Sequence, residues 1–127
     1  MKNTVKTVLW ASVFLCMTSG CATPKITGGP ITDHSLTDGL YTGEAPHGPV
    51  SVIAEVTIQN KRIIKIDLIK HRNWKGKPAE KVMVRIIEEQ STNVDAVSGA
   101  TMSSIAIMNA VEDAIQKAQK KGKSLHL

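Results

Sequence analysis

VSVIAEVTIQNKRIIKIDLI, Val50 to Ile69, alternates between two kinds of side chain. Val50, Val52, Ala54, Val56 and Ile58 fall on one side, and Ser51, Ile53, Glu55, Thr57 and Gln59 on the other. A period of two over this length predicts a strand with one face in a core. Gln59-Asn60-Lys61 then interrupts the pattern, and Asn tolerates positive φ better than most residues, which predicts a turn at Asn60. Ile63 to Ile69 forms a second apolar stretch. Two strands joined this tightly are expected as an antiparallel hairpin.

Working outward, Leu40-Tyr41-Thr42 predicts a short strand before the hairpin, ended by a loop over Gly43 to Pro49. Beyond the hairpin, Pro78 suits a first helical turn, and Glu80 to Gln90 carries Val82, Met83, Ile86 and Ile87 on one stripe. Val94 to Val97 reads as a short buried strand. A final helix is expected from Met102 to Ala118, with Ile105, Met108, Val111, Ile115 and Ala118 at helical spacing as core. The fold class that results is α+β, a small antiparallel sheet with two packed helices. A chain of 127 residues has room for one such domain, placed over 38–120, and not for two.

The first 20 residues read as an export signal. Lys2 and Lys6 form a positive start, Thr7 to Met17 an apolar run, and Thr18-Ser19-Gly20 a small-residue stretch before Cys21. The apolar run is shorter than the roughly 20 residues a membrane span needs. Small residues directly before a Cys resemble the lipobox of bacterial lipoproteins, with Thr18 where Leu is usual, so Cys21 is expected as a lipidated first residue; simple cleavage of the signal is the other reading. Residues 21–37, rich in Thr, Pro and Gly, are expected as a flexible tether, and 121–127 as a basic tail. These features imply an extracytoplasmic domain of the cell envelope, anchored to a membrane by lipid.

The formal net charge of +5 loses two units with Lys2 and Lys6. The remaining basic residues are scattered, apart from Lys117 to Lys123, where cations suit a helix C-terminus. Outside the leader, Tyr41 and Trp74 are the only aromatics, too few to stack bases, and nucleic acid is not expected as a partner. His34, His47, His71 and His126 lack metal-ligand spacing. No Cys-x-x-Cys-His is present for covalent haem, and nothing pairs a nucleophile with a base.

The chemistry lies in Asp95-Ala96-Val97-Ser98-Gly99-Ala100-Thr101, with Ser103 shortly after. Small residues, with Gly99 free to take conformations closed to others, lead straight into a predicted helix N-terminus. Unpaired N–H groups and the positive end of the helix dipole make such a place suited to an anion such as phosphate. Ser, Thr and Asp before a helix are equally what N-caps look like. A P-loop is excluded, since no Gly-Lys-Ser or Gly-Lys-Thr follows.

Asp-x-x-Ser-Gly-Ala-Thr followed by Ser103 and a helix resembles the covalent FMN-binding domain family. The likeness extends over about Asp38 to Ala118, with Asp38-Gly39-Leu40-Tyr41-Thr42-Gly43 similar to the family's opening strand. The resemblance implies FMN esterified through its phosphate to Thr101 by a separate magnesium-dependent FAD:protein FMN transferase. Asp95, Ser98, Gly99, Ala100 and Ser103 then complete the attachment sequence. Many members carry a Glu-Thr pair near the flavin. Here that region holds Asn73-Trp74-Lys75-Gly76-Lys77-Pro78-Ala79-Glu80, closer to the version in single-domain members. Trp74 is thereby a candidate to stack on the flavin, and Lys75, Gly76 and Lys77 are candidates to hold its phosphate or favour its reduced form; a solvated loop is the plain alternative.

The implied function is an exported, membrane-tethered electron carrier rather than a stand-alone enzyme, exchanging electrons with a membrane-bound reductase or electron-transport complex. The alternative is an envelope lipoprotein that uses the fold as a binding module for a membrane complex, carries no flavin, and keeps Thr101 only as a helix cap.

Overall fold

The computed structural model describes residues 28–31, 36–47, 50–72 and 79–125, with the backbone alone at His47, Val50, His71 and Arg72. Three strands, β1 (Gly39–His47), β2 (Val50–Gln59) and β3 (Arg62–Arg72), are followed by helices α1 (Glu80–Glu89) and α2 (Thr101–Leu125). The strands form one antiparallel sheet in the order β1-β2-β3. This is the expected α+β architecture, a three-stranded sheet with two helices packed on one face.

Alternation sets which face is covered. Val52, Ala54, Val56 and Ile58 of β2 are buried, as are Tyr41 and Ala45 of β1 and Ile63 and Ile66 of β3. All belong to one core with Val82 and Ile86 of α1 and the inner face of α2. α2 lies over β1 and β2, and α1 over β3.

The hairpin turn is of the type I′ kind, with φ of 52° at Asn60 and 59° at Lys61. A mirror-image turn matches the right-handed twist of the strands it joins. Neither residue is glycine, and Asp38 supplies the compensation. Its carboxylate accepts the Asn60 N–H at 3.0 Å and the Lys61 N–H at 2.9 Å. The bonds from Lys61 and Asn60 hold the Asp38 carboxyl below its ordinary range.

Two register shifts break the β2–β3 pairing, at Ile53/Ala54 and Thr57/Ile58. Each leaves one residue of β3 without a partner, Ile69 in the first case and Ile64 in the second. Both side chains are exposed as a result. A bulge gives up alternation locally, and these isoleucines are where a strict period of two fails.

Four expectations change. β1 does not stop at Thr42; it continues through Gly43 to His47, paired with β2 throughout. Gly43 is explained by α2, because a Cβ there would lie 2.6 Å from the Ala114 nitrogen and closer still to the Ala110 carbonyl oxygen. The neighbouring helix positions Ala106, Ala110, Ala114 and Ala118 are all fully buried. At a spacing of four they form a ridge low enough for the helix backbone to approach the strand.

Val94 to Val97 is not a strand, since its backbone finds no ladder. Part of the expected tether is structured: Ile31 N–H bonds the Gln90 carbonyl at 2.8 Å and Thr92 N–H the Gly29 carbonyl at 3.4 Å, while Ile31 and Leu36 are buried. Backbone pairing holds this strap, so it needs no periodic side chains. Finally, α2 runs past Ala118 to Leu125 and takes in most of the expected basic tail. Among the described residues no helix is long and apolar enough to cross a membrane.

Candidate functional site

α2 and β1 are antiparallel. Thr42 and Glu44 meet Lys117 and Asp113, Gly43 abuts Ala110, and the Lys121 ammonium sits 5.9 Å from the centre of the Tyr41 ring. Advancing along β1 from Gly43 to His47 at about 3.4 Å per residue, and back along α2 from Ala110 to Thr101 at about 1.5 Å, covers about 14 Å each way. Thr101 therefore lies towards the end of the sheet where β1 closes, β2 opens and β3 ends at Arg72. The Asn60-Lys61 turn occupies the other end.

The segment leading to Thr101 is pinned at several points. Thr92 is fully buried and its hydroxyl bonds Glu112 of α2 at 2.7 Å. Arg85 of α1 donates to the Asp95 carbonyl at 3.0 Å. Val97 to Ala100 closes a tight turn, with the Ala100 N–H on the Val97 carbonyl at 3.0 Å and Gly99 at φ 81°. Positive φ at the third residue is the type II signature, which requires glycine there. A side chain at Gly99 would meet no atom within 4 Å, so the backbone and not crowding selects glycine. Ser104, fully buried, ties the turn: its hydroxyl accepts the Val97 N–H at 3.1 Å and donates to the Ala100 carbonyl at 2.9 Å.

Thr101 is the first residue of α2 and is exposed. The Ala100 carbonyl accepts the first helical bond, from Ser104 N–H at 2.8 Å. Ala100 thus stands where an N-cap would, and its methyl cannot cap. Among the described residues the N–H groups of Thr101, Met102 and Ser103 find no acceptor, and the first turn carries no acid. Three donors and the positive end of a 25-residue helix are left without a side-chain anion, which fits a phosphate.

Of the residues expected at the site, Asp95, Ser98, Gly99 and Thr101 are exposed, while Ala100 and Ser103 are buried. The Asp95 carbonyl accepts from Arg85, and Ala100 bonds Val97 through its N–H and Ser104 through its carbonyl. Trp74, Lys75, Gly76, Lys77 and Cys21 lie outside the described residues. Arg85, Ser104 and Glu112 join the site without a mark in the sequence, because each acts through a partner distant in the chain or across a turn. No group of three or more His, Cys, Asp or Glu gathers among the described residues.

The fold and this turn define a small α+β domain with an anion-accepting helix start behind a small-residue turn. Residues 17–116 match the family described as FMN-binding domain, and the chain belongs to it. It is 34% identical over 87 residues to an uncharacterized protein of Treponema pallidum, covering 66% of this chain and 24% of that protein. It is 32% identical over 108 residues to a urocanate reductase of Eggerthella lenta, covering 81% of this chain and 18% of that protein. The chain thus corresponds to less than a quarter of the length of either relative. Membership and the reductase relative support a flavin-binding redox role with FMN as the cofactor.

Proposed function

We propose that the domain is an exported, membrane-tethered electron carrier with FMN bound covalently to Thr101. One observation carries the reading. An exposed threonine opens α2 directly after Asp-x-x-Ser-Gly-Ala, beside three N–H donors that no described side chain satisfies.

In attachment, the Thr101 Oγ forms a bond to the phosphorus of the FMN half of FAD and gives up its proton. The pyrophosphate bond breaks and AMP leaves, in the active site of a magnesium-dependent transferase. The N–H groups of Thr101, Met102 and Ser103 would then face the phosphate oxygens. Trp74, Lys75, Gly76 and Lys77 are the nominated contacts for the rest of the cofactor. FMN supplies reversible electron uptake when bound.

Covalent attachment suits a domain outside the cytoplasm, because a tethered cofactor keeps a high effective concentration where a free one would be diluted. Cys21, at the end of the export signal, is the proposed lipid anchor. A urocanate reductase that bears a stretch of this kind over 18% of its length fits a carrier module serving a reductase. For this chain the proposed partners are a membrane-bound reductase or electron-transport complex. The binding-module alternative gives Thr101 the role of helix cap, but Thr101 sits at the first helical position, one residue past the cap.

Intact-mass measurement after co-expression with the transferase tests the reading. The chain should gain the mass of FMN less one water and stay yellow after denaturation. A folded chain that gains no mass, or colour released on unfolding, rejects covalent attachment.

A further inference from the structure

We propose that Ser104 is a positioning residue for the acceptor hydroxyl, fixing the turn that presents Thr101 for FMN transfer. The inference rests on the reading of Thr101 as acceptor. Ser104, the fourth residue of α2, is fully buried, and the other fully buried positions of the helix carry alanine, isoleucine, methionine and valine. Packing alone gives no reason for an oxygen there: serine is a mediocre helix former, and a hydroxyl bonded back to the carbonyl four residues earlier slightly destabilises a helix.

The turn supplies the reason. One Oγ accepts the Val97 N–H at 3.1 Å and donates to the Ala100 carbonyl at 2.9 Å. The Ser104 N–H bonds that same carbonyl at 2.8 Å. A single residue therefore grips both ends of the four-residue turn that closes between Val97 and Ala100, and Thr101 follows immediately. Alanine would fill nearly the same volume but leave the Val97 N–H without its acceptor. The turn would then depend on the Ala100-to-Val97 bond alone, and the direction of the Thr101 hydroxyl would spread.

Transfer demands a narrow direction of attack, so a loosened turn acts on the chemical step. The remaining restraints on the segment, Thr92 on Glu112 and Arg85 on Asp95, lie upstream of the turn and do not replace Ser104.

The test uses the full chain, purified transferase, FAD and magnesium, with FMN incorporation followed by intact mass. The chains compared are wild type, Ser104→Ala, Ser104→Cys and Val111→Ala, at a temperature where circular dichroism shows each folded. Val111 is equally buried on the same helix but lies ten residues, about 15 Å, along it from Thr101, so it controls for lost stability. Ser104→Ala should slow transfer by about ten- to a hundred-fold, and the Val97 amide should exchange its hydrogen like an open loop while Val56 of β2 stays protected. Cysteine, a weaker donor and acceptor, should give an intermediate rate, and Val111→Ala the wild-type rate. Transfer to Ser104→Ala or Ser104→Cys as fast as to wild type, or equal slowing by Val111→Ala, overturns the role of Ser104 and leaves Thr101 as acceptor. A wild-type chain that takes no FMN overturns the acceptor reading itself.

Discussion

Replacing Gly43 by alanine adds one methyl between β1 and α2. No positive φ protects this glycine, and alanine is no worse than glycine in a strand, so any loss is steric. The new Cβ would lie 2.6 Å from the Ala114 nitrogen and 3.0 Å from the Ala110 carbonyl carbon. Both are helix backbone atoms, which cannot rotate away. The Ala110 carbonyl oxygen would be nearer still, and moving it to an ordinary separation of roughly 3.5 Å requires α2 to lift by about 1.5 Å. That displacement carries the Asp113–Glu44 bond, now 3.0 Å, and the Lys117–Thr42 bond, now 2.8 Å, past hydrogen-bonding range. Overpacking costs about 1–3 kcal/mol and each bond about 0.5–1.5 kcal/mol, giving roughly 2–6 kcal/mol. At about 4–8 °C per kcal/mol for a domain of this size, thermal unfolding by circular dichroism should move down by about 8 °C or more. A Gly43→Ala chain that melts within about 2 °C of wild type, well inside one kcal/mol, would refute the close-approach account of β1 and α2.

The Gln90 side chain accepts the Ile63 N–H at 3.0 Å and donates to the Ile63 carbonyl at 2.9 Å, so Gln90→Ala should cost about 1–3 kcal/mol in chemical denaturation by orphaning both groups; unchanged stability would contradict this. Asp38 has a folded pKa held below its ordinary value of 3.8 by the Lys61 and Asn60 N–H groups. Its contribution is present above that ordinary value and is lost as pH falls through the lower folded one. Asp38→Asn should therefore flatten the acid limb of melting temperature against pH, and superimposable limbs would argue against the capped turn. The Asp113–Lys117 pair, at 2.8 Å, covers backbone groups on the free edge of β1. Replacing both by alanine removes the two bonds to these groups at about 0.5–1.5 kcal/mol each, a cost of about 1–3 kcal/mol, and should promote edge-to-edge association, read as a concentration-dependent mass in light scattering; a strictly monomeric variant up to high concentration would count against edge protection.

The hairpin was legible because Val52, Ala54, Val56 and Ile58 bury one face, and a period of two survives in any strand with one wet side. α1 and α2 were legible for the same reason at a period of 3.6. The second half of β1 was not, since Gly43 and Pro46 look like loop residues until α2 is laid across them. The strap at Gly28 to Ile31 was hidden because backbone bonds to Gln90 and Thr92 hold it, and glycine there answers crowding: a Cβ on Gly28 would lie 2.7 Å from the Thr92 Cβ and 2.9 Å from the Glu112 carboxylate. Val94 misled by being apolar and buried without pairing. At the site, the small-residue turn and the helix start at Thr101 could be read from residue types alone. Ser104 and Arg85 could not, because a serine in a helix and an arginine on another carry no mark of the carbonyls they hold.

The flavin's point of attachment decides between an acceptor threonine and a plain helix start. Proteolysis of the chain matured with the transferase, followed by tandem mass spectrometry, should find the FMN phosphoester on Thr101 and on no other residue, and Thr101→Ala should abolish it while leaving the fold intact. FMN found on Ser98, Ser103 or Ser104, or retained covalently by Thr101→Ala, would contradict attachment at Thr101.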